Sequence, residues 1–307
     1  MNRIQLMEGK YPENNGYKVL RAKSPNSDRE RSYRYEPTQD SMNTTAIART
    51  TVNTYLGYDD SGAKVSVDVI PKSIIGENES LFRNGITAHS SVKLDQVLRI
   101  KDLIETETAF YVITDAFDGK SLEELLKEGK KLSEKNALEM VKRIAEVFCL
   151  VEKESMTNEE GEKMILMHRN IKPKNIVFHE GKAKLRGFGR AKLVAKDVLI
   201  KDTVGTLEYK SPQVLSRGLY TYKRDIWALG VLLYLAVVGE YPWKGSTEQE
   251  LLKAIETCPL SIPSTTSKAV ALLIESMLQI KEKDRIDWGD ILKHPAFSIL
   301  EDYTILC

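Results

Sequence analysis

The chain has 307 residues, with 45 Lys and Arg against 44 Asp and Glu, 42% apolar residues and 3 cysteines. That length gives ample chain for one large or two-lobed domain. The charge balance argues against a nucleic-acid binder held by phosphate neutralisation. Cys149, Cys258 and Cys307 are too few and too widely spaced for a disulfide framework or a CxxC metal site, and they point to a reducing compartment.

Residues 1–45 are polar, rich in Arg, Ser, Asn and Tyr, with no sustained period of 2 or 3.6. The N-terminus lacks the apolar core of a secretory signal. This stretch reads as an extension outside the core, either a disordered leader or an arm that orders on a partner through Tyr11, Tyr17, Tyr33 and Tyr35. Ser24 precedes Pro25 and is a candidate proline-directed phosphorylation site. From residue 46 the texture becomes globular. The run 52–70 predicts two strands joined at Asp59–Gly62, the second alternating from Val65 to Ile70. A helix is expected over Ser80–His89, and strands over Val97–Leu103 and Ala109–Thr114. Helical periodicity follows at Leu122–Leu126 and Glu134–Val151, then short strands at Ile176–His179 and Lys182–Leu185, then mostly helix over 212–298. TNEEGEK (157–163) reads as a solvated acidic insert. The apolar run Trp227–Gly239 is too short for a membrane span, which needs about 20 residues, and reads as a buried helix. A β-rich first part followed by a helical remainder implies two lobes with a cleft.

At His168 a family resemblance emerges. HRNIKPKNIVF (168–178) resembles the catalytic loop of protein kinases, H-R-D-x-K-P-x-N. KLRGFGRAKL (184–193) is similar to the D-F-G segment, GTLEYKSPQVL (205–215) to the segment ending in A-P-E, and KRDIWALGVLLY (223–234) to the helix that supports the loop. VSVDVIPK (65–72) sits where V-A-I-K belongs, and DRIDWGDILKHPAF (284–297) resembles the closing helices. Lys172 is similar to the serine/threonine branch. The resemblance implies an α+β, bilobal kinase-like fold: an N-lobe with one main helix over about 46–114, a hinge at about 115–119, a C-lobe over about 120–300, and a short tail at 301–307.

Carried over position by position, the resemblance implies that Asp68 occupies the phosphate-pairing lysine position and Gly85 that of its glutamate partner. Asn170 replaces the aspartate that accepts the substrate's proton, and Gly187 the metal-binding aspartate; Asn175 is retained. An amide is no base at neutral pH, and one neutral amide is a poor magnesium site. The phosphate-covering stretch, about Ile47–Val52, has no glycine. In the adenine pocket Ser66 replaces alanine, the roof valine falls at Asn53 or Thr54, and Val177 stays apolar. Lys64 or Lys72, and Arg186 or Lys184, are the cations that could substitute. His168, Arg169, Phe188, Gly189, Asp225 and Arg285, with Gln213 opposite the last, are fold-supporting positions. His89 and Ile100 would join Phe188 and His168 in an apolar spine, His89 as a satisfied core histidine. Asp68 is expected to be exposed or paired with Lys or Arg.

These replacements lead to the expectation of a pseudokinase: a catalytically inactive scaffold, allosteric regulator or structural subunit, without cofactor or metal. The alternatives are a cytoskeletal or ciliary component tethered by residues 1–45, and an atypical serine/threonine kinase that retains ATP and magnesium. Expected partners are other proteins, an active kinase or a cytoskeletal assembly among them, with no nucleic acid and no membrane. The expected location is cytoplasmic, at the cytoskeleton or cilium. Thr203 and Thr206 are candidate phosphorylation sites within reach of Arg169.

Overall fold

The computed structural model describes residues 18–23, 30–35, 52–153 and 161–301. The described residues form two compact units: those up to Lys93 together with Leu98–Phe117, and Leu94–Val97 together with those from Asp118 onward.

The first unit is built on one antiparallel sheet of six strands: β1 (Lys18–Lys23), β2 (Glu30–Tyr35), β3 (Asn53–Asp59), β4 (Lys64–Pro71), β5 (Ile100–Glu105) and β6 (Ala109–Asp115), in the order β1-β2-β3-β4-β6-β5. Asp59 makes the β3–β4 turn: its carboxylate accepts from the N–H groups of Ser61 and Ala63, both at 3.0 Å, and from the Ser61 hydroxyl at 2.6 Å. Pleating then sorts β4 by parity. Val65 and Val67 face a core of Leu20, Tyr33, Tyr35, Ile104 and Ile113. The opposite face of the sheet presents Phe110 and Val112 to helix α1 (Glu79–Ser91), through Phe82 and Ile86.

Here the reading of residues 1–45 as lying outside the core is corrected. Lys18–Lys23 and Glu30–Tyr35 are strands, registered by Tyr33 opposite Asp59 and Tyr35 opposite Gly57. Tyr35 is only 2% exposed and lies 5.3 Å from the ring of Tyr55 and 6.2 Å from that of Tyr111. The physical reason is a short inward alternation of Tyr33 and Tyr35 around Arg34, which a composition average counts as polar. Tyr11, Tyr17 and Ser24, most of the Ile47–Val52 stretch and most of the 157–163 insert lie outside the described residues.

The second unit is mostly helical: α2 (Leu122–Lys127), α3 (Glu134–Lys153), α4 (Lys223–Val238), α5 (Glu248–Thr257) and α6 (Lys268–Met277). Ser121 caps α2 with a capping box to Glu124. α4 buries nearly its whole length and ends where Gly239 adopts φ 88°, a left-handed C-cap. Among the described residues no helix is long and apolar enough to cross a membrane. Phe148 of α3 stacks on Trp288 at 4.2 Å. Two antiparallel strand pairs complete the unit: β7 (Met164–Met167) with β10 (Lys192–Ala195), and the hairpin β8 (Ile176–His179) with β9 (Lys182–Leu185). Leu94–Val97 joins this unit because Gln96 accepts at its carbonyl from the Leu185 N–H at 2.8 Å. Asp95 clamps the same segment to Arg143 of α3 at 2.8 Å and to Lys184 of β9 at 3.0 Å.

Two outcomes are expected. Tyr35→Ala removes a packed ring from the sheet core and costs about 3–5 kcal/mol; faster amide exchange across β2–β4 checks it. Hydrogen bonds from Arg143 and Lys184 hold the Asp95 carboxyl at about 2 against an ordinary 3.8. Its stabilisation is therefore full above the ordinary value and lost as pH falls towards 2. Asp95 is 68% exposed, so Asp95→Asn lowers the melting temperature only modestly at neutral pH, with the gap to wild type closing in acid.

Candidate active site

The site in the second unit starts from a carboxylate on α4. Asp225 is 1% exposed, and burial pushes its pKa up against the opposing pull of Arg224 and of two backbone donors. Those donors are the N–H groups of His168, at 2.6 Å, and Arg169, at 2.9 Å. They hold the loop between β7 and β8 and keep Arg169 at φ 62°, a left-handed conformation that a long side chain rarely adopts. The His168 ring then sits edge-on to Phe188, with centroids 4.7 Å apart. Its Nε2 lies 3.0 Å from the Arg186 carbonyl and its Nδ1 3.3 Å from the Asn170 N–H. That pattern fits a neutral ring with its proton on Nε2, donating at one side and accepting at the other.

Beyond Asn170 the loop presents Lys172. Its ammonium donates to the Thr206 hydroxyl at 3.0 Å, and that hydroxyl lies 3.5 Å from Asn170 Oδ1. Burial, and after it the positive charges of Lys174 and Arg190, lower the Lys172 pKa. Asn175 Nδ2 donates to the Asn170 carbonyl at 2.7 Å, closing the loop on itself. Asn170, Lys172, Asn175 and Thr206 are therefore brought together.

Gly187 adopts φ 83°, and a Cβ built there would stand 2.4 Å from Asn175 Oδ1. The room that a side chain at 187 would take is filled by Asn175. Magnesium prefers several oxygen ligands, carboxylates among them. Gly187 supplies none, and among the described residues no group of three or more His, Cys, Asp or Glu could hold a metal. These residues do not fit a divalent metal.

In the first unit, Asp68 is half-buried and accepts from the Thr54 hydroxyl at 2.7 Å. Ser66 is buried, its hydroxyl without a partner among the described residues. Gly85 is buried on α1, where a glutamate would have tied helix to sheet. The tie is made elsewhere: Arg83 of α1 and Lys72 after β4 share Glu105 of β5, at 2.7 and 2.8 Å. Lys72 is thus held by Glu105, and Lys184 by Asp95. His89 lies with its Nε2 2.7 Å from the Leu98 carbonyl. Arg285, its side chain fully buried, donates to Gln213 Oε1 at 3.1 Å and to the carbonyls of Lys223 and Gln279. Burial lowers its pKa to about 10.

Sequence reasoning missed Glu105 and a polar group around Asp202. Asp202 accepts from Arg169 Nη1 and from the Tyr220 hydroxyl, both at 2.7 Å. The one signal for it was its place beside Thr203, a residue singled out for its nearness to Arg169. Thr203 itself is exposed.

A model of the protein kinase domain matches residues 50–297. The SNF-related serine/threonine-protein kinase of Homo sapiens is 30% identical over 241 residues, 76% of this chain and 30% of that protein. Serine/threonine-protein kinase atg1 of Dictyostelium discoideum is 28% identical over 205 residues, 64% of this chain and 29% of that protein. The SNF-related kinase of Rattus norvegicus is 29% identical over 241 residues. The chain spans about a third of the length of these relatives. Their names overturn the expectation of a catalytically inactive scaffold or structural subunit: each is a serine/threonine protein kinase, which favours the enzyme reading held as an alternative.

Gly187→Asp is expected to destabilise the second unit by about 2–5 kcal/mol, from left-handed strain plus overpacking against Asn175. A lower melting temperature checks it. Adding Asn175→Ala recovers the overpacking part and leaves the strain.

Proposed function

Because the chain belongs to the protein kinase family, matched over residues 50–297, we propose that it is an atypical serine/threonine protein kinase. It transfers a phosphoryl group from ATP to a hydroxyl of a protein substrate. The observation that carries this reading is the Lys172 ammonium, 3.0 Å from the Thr206 hydroxyl in a loop clamped by Asp225.

Phosphoryl transfer asks little covalent chemistry of a protein and depends on positioning and on neutralising the transferred group's charge. The loop supplies positioning through Asp225, and Lys172 supplies a fixed positive charge beside the acceptor position. Asn170 Oδ1 can accept a hydrogen bond from the acceptor hydroxyl and so orient it. It cannot take the proton, which leaves to water. Loss of a general base typically costs about 10²–10⁴ in rate. A slow enzyme is the expected result. Within the second unit, the replaced positions Asn170 and Gly187 are features of that atypical site. Which protein it phosphorylates is set by surfaces outside this loop.

The test is label transfer from γ-labelled ATP to a mixed serine/threonine peptide set, for wild type and for Lys172→Met. Expected is slow labelling of Ser and Thr, reduced about 10²-fold in the variant, the range for losing one stabiliser of transition-state charge. Labelling no greater than with heat-inactivated protein, or equal for the two proteins, would overturn the reading.

A further inference from the structure

The residues Asp202 to Thr206 are pinned at every second position by a cation. Arg169 Nη1 donates to Asp202 Oδ2 at 2.7 Å. Arg224 Nη2 donates to the Val204 carbonyl at 2.6 Å. Lys172 donates to the Thr206 hydroxyl at 3.0 Å. Between these anchors Gly205 sits at φ 131°, where a Cβ would approach Arg224 Nη2 to 2.9 Å.

The electrostatics of this group are uneven. Arg169, Arg190 and Arg224 lie together: Arg169 Nε donates to the Arg190 carbonyl at 2.7 Å, and Arg224 Nη1 lies 3.9 Å from Asp202 Oδ1. Partial desolvation, then the charges of Arg224 and Arg169, lower the Arg190 pKa. Of the two carboxylates nearby, Asp225 faces the loop N–H groups, whereas Asp202 meets the guanidinium directly. Its Oδ1 also accepts from the Tyr220 hydroxyl at 2.7 Å and the Val204 N–H at 3.2 Å. Arg169 is 1% exposed at its side chain, and its Nη2 is buried with no partner among the described residues. Removing Asp202 would leave a buried guanidinium uncompensated, a costly state.

We propose that Asp202 is a positioning residue of the phosphoryl-transfer site. Its carboxylate is the built-in anion that holds Asp202–Thr206 against the arginines and so keeps Thr206 on Lys172 with no phosphate added. Resting on the kinase reading above, this makes modification of the neighbouring Thr203 unnecessary for ordering the segment.

The test reads order separately from activity. Amide hydrogen exchange is followed over Thr206–Lys210, where the Tyr209 and Lys210 N–H groups bond to the carbonyls of Thr206 and Leu207. Asp202→Ala is expected to speed exchange there about tenfold, equivalent to about 1.4 kcal/mol of local opening. Millimolar inorganic phosphate slows it again by filling the vacated arginine site, while chloride at equal ionic strength does not. Asp202→Asn keeps the shape and removes the charge, and shifts exchange in the same direction by less. Unchanged exchange in both variants would overturn the proposal. So would faster exchange throughout the second unit that phosphate leaves as it is, or an unfolded Asp202→Asn protein that phosphate does not refold. Label transfer by the same proteins is expected to fall with the loss of order and to return with phosphate. Absence of transfer from wild type would count against the kinase reading, whereas the exchange comparison judges the anchor by itself.

Discussion

The buried carboxylate of Asp225 is the interaction on which the site depends. An ionised group in an apolar helix is costly unless hydrogen bonds compensate it. Here two backbone N–H groups of the loop compensate it, at 2.6 and 2.9 Å. The requirement works in both directions. The helix needs the loop to satisfy its charge, and the loop needs the charge to hold Arg169 at φ 62°. Once that turn is fixed, the His168 ring has one place to go, between the Arg186 carbonyl and the Asn170 N–H. Lys172 follows two residues later at a defined height above Thr206.

Replaced residues in each unit are packed solutions rather than gaps. Gly187 has no carboxylate, but its missing side chain is what lets Asn175 stand close and tie Asn170 down. Gly85 has lost the helix-to-sheet ion pair that its position would carry, and Glu105 makes the tie instead by binding Arg83 and Lys72 together. Half-buried Asp68 has the Thr54 hydroxyl across the β3–β4 pair. Each change keeps the scaffold in register while altering charge. Under the proposed kinase reading, positioning is retained and the missing base is a loss of rate.

Legibility in the sequence followed the range of the interaction. Helices α3 and α4 and the β8–β9 pair were legible because their signals are local: 3.6-residue periodicity, an apolar run, and a short β-branched and aromatic stretch followed by a polar–apolar alternation. The loop residues His168 to Asn175 were legible through the resemblance, which fixes spacing as well as identity. Strands β1 and β2 were not, because Tyr33 and Tyr35 give only two inward turns of alternation, amid arginines that read as polar. Their partners, Asp59 and Gly57, lie more than 20 residues away. The group around Asp202 was illegible for the same reason: Arg169, Arg190 and the Tyr220–Arg224 stretch converge on it from three segments, and no local pattern marks convergence.

Arg169 shows how the parts combine. A non-glycine residue in the left-handed region costs about 1 kcal/mol or more, and such strain persists only where the surroundings over-determine it. Two aspartates over-determine it here from opposite ends. Asp225 takes the backbone N–H, and Asp202 takes the guanidinium. One comes from the supporting helix and the other from the segment that carries Thr206, so the strained residue is the joint between them. A net charge of +1 over the whole chain conceals this local arrangement, in which Asp202 meets the guanidinium groups of Arg169 and Arg224 while Asp225 holds the loop N–H groups. Loosening either carboxylate lets the turn at Arg169 relax, and the distance from Lys172 to Thr206 is then no longer fixed. The order of the site therefore rests on charges that the chain itself supplies.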